Sequence, residues 1–201
     1  MIRRFVLALA ALCCIASFVA PAAAAHYYVD RALGSVADRG KLAAPGPVQI
    51  LVEFQTNGVR NEKATKQVRK MVMTEVAKLP YLPSVSDAPV ASGALLTVKI
   101  NNIFSEEERK RAMKAAFKTG FTFGAADTVV RDNYTTSFSY VPAAGTPPIT
   151  SSVNHALVTT LGKGSDPSFG VEYKKATEAV SALIGQTLDH GLNAIARKTA
   201  S

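Results

Sequence analysis

The stretch "DNYTTSFSYVPAAGTPPITSSVNHALVTTL", Asp132 to Leu161, sets the fold class. Tyr134, Thr136, Phe138 and Tyr140 alternate with Thr135, Ser137 and Ser139, the period of a strand with one buried face and one wet face. "PAAGTPP" then supplies proline and glycine for a turn, and "ITSSVNHALVTTL" reads as a second strand. Two such strands joined by a loop of this length form a hairpin, so an antiparallel sheet is the expected frame.

Working outward, "VQILVEFQT" alternates Val48, Ile50, Val52 and Phe54 with Gln49, Leu51, Glu53 and Gln55, and Asn57-Gly58 ends it. In "ALLTVKINNIF" the residues Leu96, Val98, Ile100 and Phe104 share a face, which predicts another strand. Between these, residues 61–79 have helical spacing. Ala64, Val68, Met71, Val72, Val76 and Leu79 trace an apolar face, Lys63, Lys66 and Lys70 lie opposite, and Pro80 and Pro83 stop the run. "SEEERKRAMKAAFKTG" predicts a short helix with Ser105 and Glu108 as a capping box and Gly120 at the C-terminal cap. At the end of the chain Tyr173, Ala176, Val180, Leu183, Ile184, Leu188, Leu192 and Ile195 recur at helical spacing, predicting a long amphipathic helix. The order predicts an α+β fold: a mainly antiparallel four-stranded sheet with two longer helices and one short helix packed on it.

The first residues, "MIRRFVLALAALCCIASFVAPAAAAHYY", have the basic start, apolar run and small-residue ending of a secretory signal peptide, with the expected cut after Ala25. This divides the chain into a signal peptide at 1–25, an irregular arm at 26–47 rich in Gly and Pro, and one α+β domain at 48–201. Both cysteines, Cys13 and Cys14, fall in the signal region, so a mature chain has no thiol chemistry, no cysteine-ligated zinc and no disulfide. Lipoprotein signals place a small residue before the modified cysteine; here Leu12 precedes Cys13, a departure from that pattern. The predicted location is the periplasm, with the protein at or near a membrane.

The formal charge is +8. For an exported chain such a charge suits anionic envelope surfaces, and nucleic acid is not an expected partner. Catalytic constellations are missing from the sequence: there is no G-x-S-x-G or S-x-x-K, and no histidine is spaced to activate a serine. Gly120 and Gly124 lack the spacing and Lys-Ser/Thr ending of a phosphate loop. No catalytic activity and no cofactor are predicted. His155 sits on a strand pattern beside Val153 and Leu157, and His190 falls near the polar side of the last helix. His26 would become the N-terminal residue on cleavage, and an N-terminal amine with its imidazole can chelate copper, with His155 or His190 completing the site. A periplasmic copper-binding protein is therefore the alternative function.

The candidate interaction surface lies in "KRAMKAAFKTGFTFGAADTVVRDNY". Lys110, Lys114 and Lys118 recur every four residues, and Phe121 and Phe123 follow directly. A basic helix with exposed aromatics can lie on an anionic membrane, whereas Phe117, Phe121 and Phe123 turned inward would cover the sheet; binding a partner's strand or helix is a third option. "VQILVEFQTNG", "TGFTFGAADTVVRDNY" and "NHALVTTLG", together with the signal region, resemble a loose group of uncharacterised proteobacterial envelope proteins, many of them lipoproteins. The resemblance implies an envelope location and no particular reaction. The sequence reading is thus an envelope-associated interaction or assembly protein, with an envelope protein or an anionic membrane surface as partner and the oligomeric state left open.

Overall fold

The structure is a computed structural model that describes residues 25–42, 44, 46–105, 107, 110, 128–161 and 165–200. Eight strands among these residues form a single sheet: β1 (Ala25–Val29), β2 (Val48–Thr56), β3 (Val59–Arg60), β4 (Val85–Ser86), β5 (Leu95–Ile103), β6 (Thr128–Val141), β7 (Ile149–Leu161) and β8 (Val171–Tyr173). The order across the sheet is β3-β2-β5-β6-β7-β1-β8, with β4 also paired to β2. Two helices, α1 (Glu62–Val76) and α2 (Ala176–Ala200), pack against it.

The sheet corrects the expectation of four strands. β1, β3, β4 and β8 have only two to five residues, too few to display a period of two, and β1 lies in the stretch expected to be an irregular arm. The sheet is also mixed: β2 runs parallel to β5 from Gln49 opposite Leu95 to Thr56 opposite Asn102, with α1 in the connection between them. The expected short helix falls almost wholly outside the described residues; Glu107 and Lys110 are helical.

Local chemistry accounts for several boundaries. Asn57 and Gly58 have φ of 48° and 79°, the left-handed pair that a two-residue hairpin turn requires, so β2 folds back onto β3 with Thr56 opposite Val59. Three residues later Asn61 caps α1, its Oδ1 accepting from the Ala64 N–H at 3.0 Å. Thr65 fixes the same corner, accepting from the Phe54 N–H at 2.9 Å and donating to the Asn61 carbonyl at 2.8 Å.

The core fills one face of the sheet. Ile50 and Phe54 of β2, Leu96, Val98 and Ile100 of β5, and Phe138 and Tyr140 of β6 meet Val68 and Val72 of α1 and Leu183, Leu188, Leu192 and Ile195 of α2. The helices touch through Ser181, which donates to Glu75 at 2.6 Å. Residues 30–42 are held against α2 by Arg39, whose Nε and Nη2 bond the two carboxylate oxygens of Asp189 at 2.9 and 2.7 Å. The Gly40 N–H adds a bond to Asn193 Oδ1 at 3.1 Å.

Among the described residues the opposite face is covered at one end only. There β7 is buried on both sides: Leu157 faces the helices, while Ala156, Val158 and Thr160 face away and are also buried. Tyr28 of β1, opposite Val158, shares this second cluster, and the ring of Phe169 packs 5.7 Å from it out of a 3₁₀ turn at Pro167–Phe169. Toward β2 the outer face is open and polar. Glu53, Lys99, Ser137 and Ser152 form one row across four strands, and Gln55, Asn101, Thr135 and Asn154 form the next.

Candidate functional site

Where the covered and open parts of the outer face meet, β1, β6 and β7 form a shallow depression of about 350 Å³ lined by Asp30, Arg131, Asn133, Thr135, Asn154 and Ala156. Strand alternation places these groups together. Arg131, Asn133 and Thr135 are the β6 residues opposite in direction to Tyr134 and Thr136, and Asn154 faces Thr135 across the ladder. Arg131 Nη2 bonds Asp30 Oδ2 at 2.6 Å, and Thr135 donates to Asn154 Oδ1 at 2.8 Å. Burial alone would raise the Asp30 carboxyl, but the Ala32 N–H at 2.9 Å and the Arg131 guanidinium outweigh it and hold the group below its ordinary value. Near neutral pH both members of the pair are charged. They can orient a polar ligand, but they are poorly matched to shuttling protons.

A second polar group lies on the helix-facing side. Asn102, Tyr134 and His155 form one row across β5, β6 and β7, with Asp132 two residues before Tyr134. His155 Nε2 meets Gln186 Oε1 at 2.8 Å, and Asn102 Nδ2 reaches Asp132 Oδ1 at 3.5 Å. Burial lowers the His155 imidazole, with the Gln186 bond opposing in part, and burial raises the Asp132 carboxyl against the pull of Asn102. Burial also raises the Tyr134 hydroxyl. Asn102 Oδ1, Thr136 Oγ1 and His155 Nδ1 are buried without a hydrogen-bond partner among the described residues. This end of the core is its least satisfied part.

A stability prediction follows for Asp132. Its folded-state value is raised, so the carboxyl supports the fold fully only below the unfolded value of about 3.9, and that support is lost as pH rises through the folded value. Asp132→Asn should therefore raise the thermal midpoint at pH 7 and leave it nearly unchanged at pH 3. Equal shifts at both pH values would show that ionisation is not the cause.

Of the residues singled out from sequence, Lys110 is exposed at a helical position, while Lys114, Lys118, Phe121 and Phe123 lie outside the described residues. His26, in β1, directs Nδ1 to Glu172 Oε1 at 2.5 Å, and Glu172 also accepts from Ser165. Those two bonds, Ser165 first, hold the Glu172 carboxyl below its ordinary value. His190 meets the Gly34 carbonyl at 3.3 Å. The three histidines thus face three different partners, and among the described residues no group of three or more His, Cys, Asp or Glu side chains converges on a metal-sized site.

Sequence reasoning missed the Asp30–Arg131 depression. The signal for half of it was present, since the β6 alternation puts Arg131, Asn133 and Thr135 on the wet face. Asp30 could not be found this way, because it arrives through the pairing of β1 with β7.

No protein-family model matches the chain, and neither does any curated protein. Among solved structures it is similar to a variant of the PelC dodecamer from Paraburkholderia phytofirmans, at 11% identity over 78% of this chain and 93% of that one, with a TM-score of 0.40. A second PelC dodecamer structure from the same organism matches at 13% identity over 76% and 92% of the two chains, with a TM-score of 0.34. A neuraminyllactose-binding hemagglutinin homolog from Helicobacter pylori matches at 8% identity over 84% and 97%, with a TM-score of 0.39. Likenesses at this level leave fold and function to be read from the chain's own residues. Among the described residues no helix is long and apolar enough to cross a membrane.

Proposed function

We propose that this protein is an exported, envelope-associated interaction or assembly module that acts without catalysis and meets an anionic membrane surface through the segment between β5 and β6. The observation that carries this reading is the pairing of those strands. Ile103 lies opposite Asn133 in an antiparallel ladder that a short turn would close. Instead residues 104–127 intervene, carrying Arg109, Lys110, Arg111, Lys114 and Lys118 followed by Phe121 and Phe123. Connections longer than about 12–15 residues are uncommon in a compact domain and are usually either functional or linker segments; the basic and aromatic composition of this one favours function. The signal-like N-terminus fits the same reading.

Flotation with vesicles containing phosphatidylglycerol tests it. The protein should co-float at low salt and less at physiological salt, because cations near an anionic surface are screened. Replacing Lys110, Lys114 and Lys118 with Gln should reduce partitioning by roughly fivefold per lysine, and replacing Phe121 and Phe123 with Ser should reduce it further with the thermal midpoint unchanged. Protein that stays at the bottom in both buffers overturns the membrane contact. Phenylalanine variants that unfold would assign those rings to the core.

A further inference from the structure

We infer that the solvent side of α1 is a second cationic surface for the same anionic bilayer, an inference that rests on the envelope reading above. Lys63, Lys66 and Lys70 are all exposed and lie three, four and seven residues apart, so they line one side of the helix over about 10 Å. Nearby acids do not neutralise them. Glu62, four residues before Lys66, is ion-paired with Arg60 at 2.9 Å, and Glu75 bonds Lys78 at 2.7 Å and accepts from Ser181 at the contact with α2. Arg69, the remaining cation of the helix, reaches Asp87. None of the three lysines has an ion-pair partner among the described residues.

The spacing runs against what an isolated helix would favour. Lysines at i, i+3 and i, i+4 repel each other, and the arrangement that stabilises a helix puts a glutamate four residues before a lysine. Here the one glutamate so placed is drawn away to β3. A straight, unpaired row of ammonium groups on the outer layer of the fold matches a plane of lipid phosphates, which offers charge along a line and needs no pocket. Lysine suits that task because it acts as a flexible point charge.

The test compares the mature chain, cut after Ala25, with its triple variant Lys63→Gln, Lys66→Gln and Lys70→Gln by co-flotation with phosphatidylglycerol and with purely phosphatidylcholine vesicles. Glutamine is a good helix former and the sites are exposed, so circular dichroism should match the parent and the thermal midpoint should stay the same or rise slightly as the lysine repulsion is removed. The expected result is a loss in partitioning to the anionic vesicles on the order of a hundredfold, from about fivefold for each charge. A triple variant that floats like the parent overturns the α1 surface and leaves the segment between β5 and β6 standing. A parent that does not float, or that floats equally on phosphatidylcholine, overturns both. A parent that is retained on a soluble polyanion such as heparin and does not float overturns the bilayer as the occupant.

Discussion

Asp189→Ala should lower the unfolding free energy by about 3 kcal/mol and the thermal midpoint by roughly 10 °C. Asp189 is nearly buried on α2, and its carboxylate receives Arg39 through two bonds and the Tyr81 hydroxyl at 2.6 Å. Tyr81 is itself 2% exposed and also donates to the Asp189 backbone carbonyl at 3.0 Å. Removing the carboxylate leaves a buried hydroxyl with one weaker partner and strips the guanidinium of both its carboxylate bonds. Arg39 is partly exposed and recovers water, which keeps the loss toward the lower end of the range for broken buried pairs. The same asymmetry predicts that Arg39→Ala costs less than Asp189→Ala.

The pH dependence should have the opposite sign to that of Asp132. The Arg39 bonds, ahead of the Tyr81 bond, hold the Asp189 carboxyl below its ordinary value despite burial. Its stabilisation is therefore complete above the unfolded value of about 3.9 and is lost as pH falls through the folded value. Thermal melts of parent and variant from pH 2 to 7 should converge at the acid end. Curves that stay parallel would mean that the arm is held by packing alone.

Gly191→Ala is expected to destabilise by about 2 kcal/mol even though alanine is the better helix former by about 1 kcal/mol. A Cβ at this position would lie 2.5 Å from Phe138 Cδ2 and 2.6 Å from Cζ, well inside contact distance. Phe138 is 1% exposed on β6, and the Gly191 carbonyl accepts from Ser151 at 2.8 Å, so neither the ring nor the helix moves freely. Phe138→Ala should itself cost about 4 kcal/mol through the cavity it leaves. In a Phe138→Leu background the Gly191→Ala penalty should shrink by at least about 1 kcal/mol, the coupling expected of residues in direct contact. Additive losses in urea melts would refute the close approach of α2 to the sheet at this point.

The parts of the fold legible from sequence are those whose burial repeats over enough residues. Tyr134 to Tyr140 show the two-residue period, and Leu183 to Ile195 show the helical one, because most side chains on the buried face are apolar or aromatic, with Thr136 and Thr187 among the buried polar exceptions. Val171–Tyr173 and Val59–Arg60 carry no such repeat, and Ala25–Val29 buries residues on both faces, so its Tyr28 and Val29 read as neither period. Strand neighbours are a further loss. The parallel match of β2 with β5 is made across α1 and leaves no local mark, whereas the Asn57-Gly58 turn announces the β2–β3 hairpin directly. The Arg39–Asp189–Tyr81 clamp was illegible for the same reason, since its members come from three separate stretches of chain.

The position of β1 bears on the order in which the chain assembles. Ala25 pairs with Leu161 and Val29 with Leu157, so the first strand of the described chain completes its ladder only when β7 is available. Closing so large a loop is slow compared with forming the neighbouring β6–β7 hairpin. During synthesis this early segment would remain without its partner until most of the polypeptide had followed. A chain built this way delays its own completion until β7 has been made.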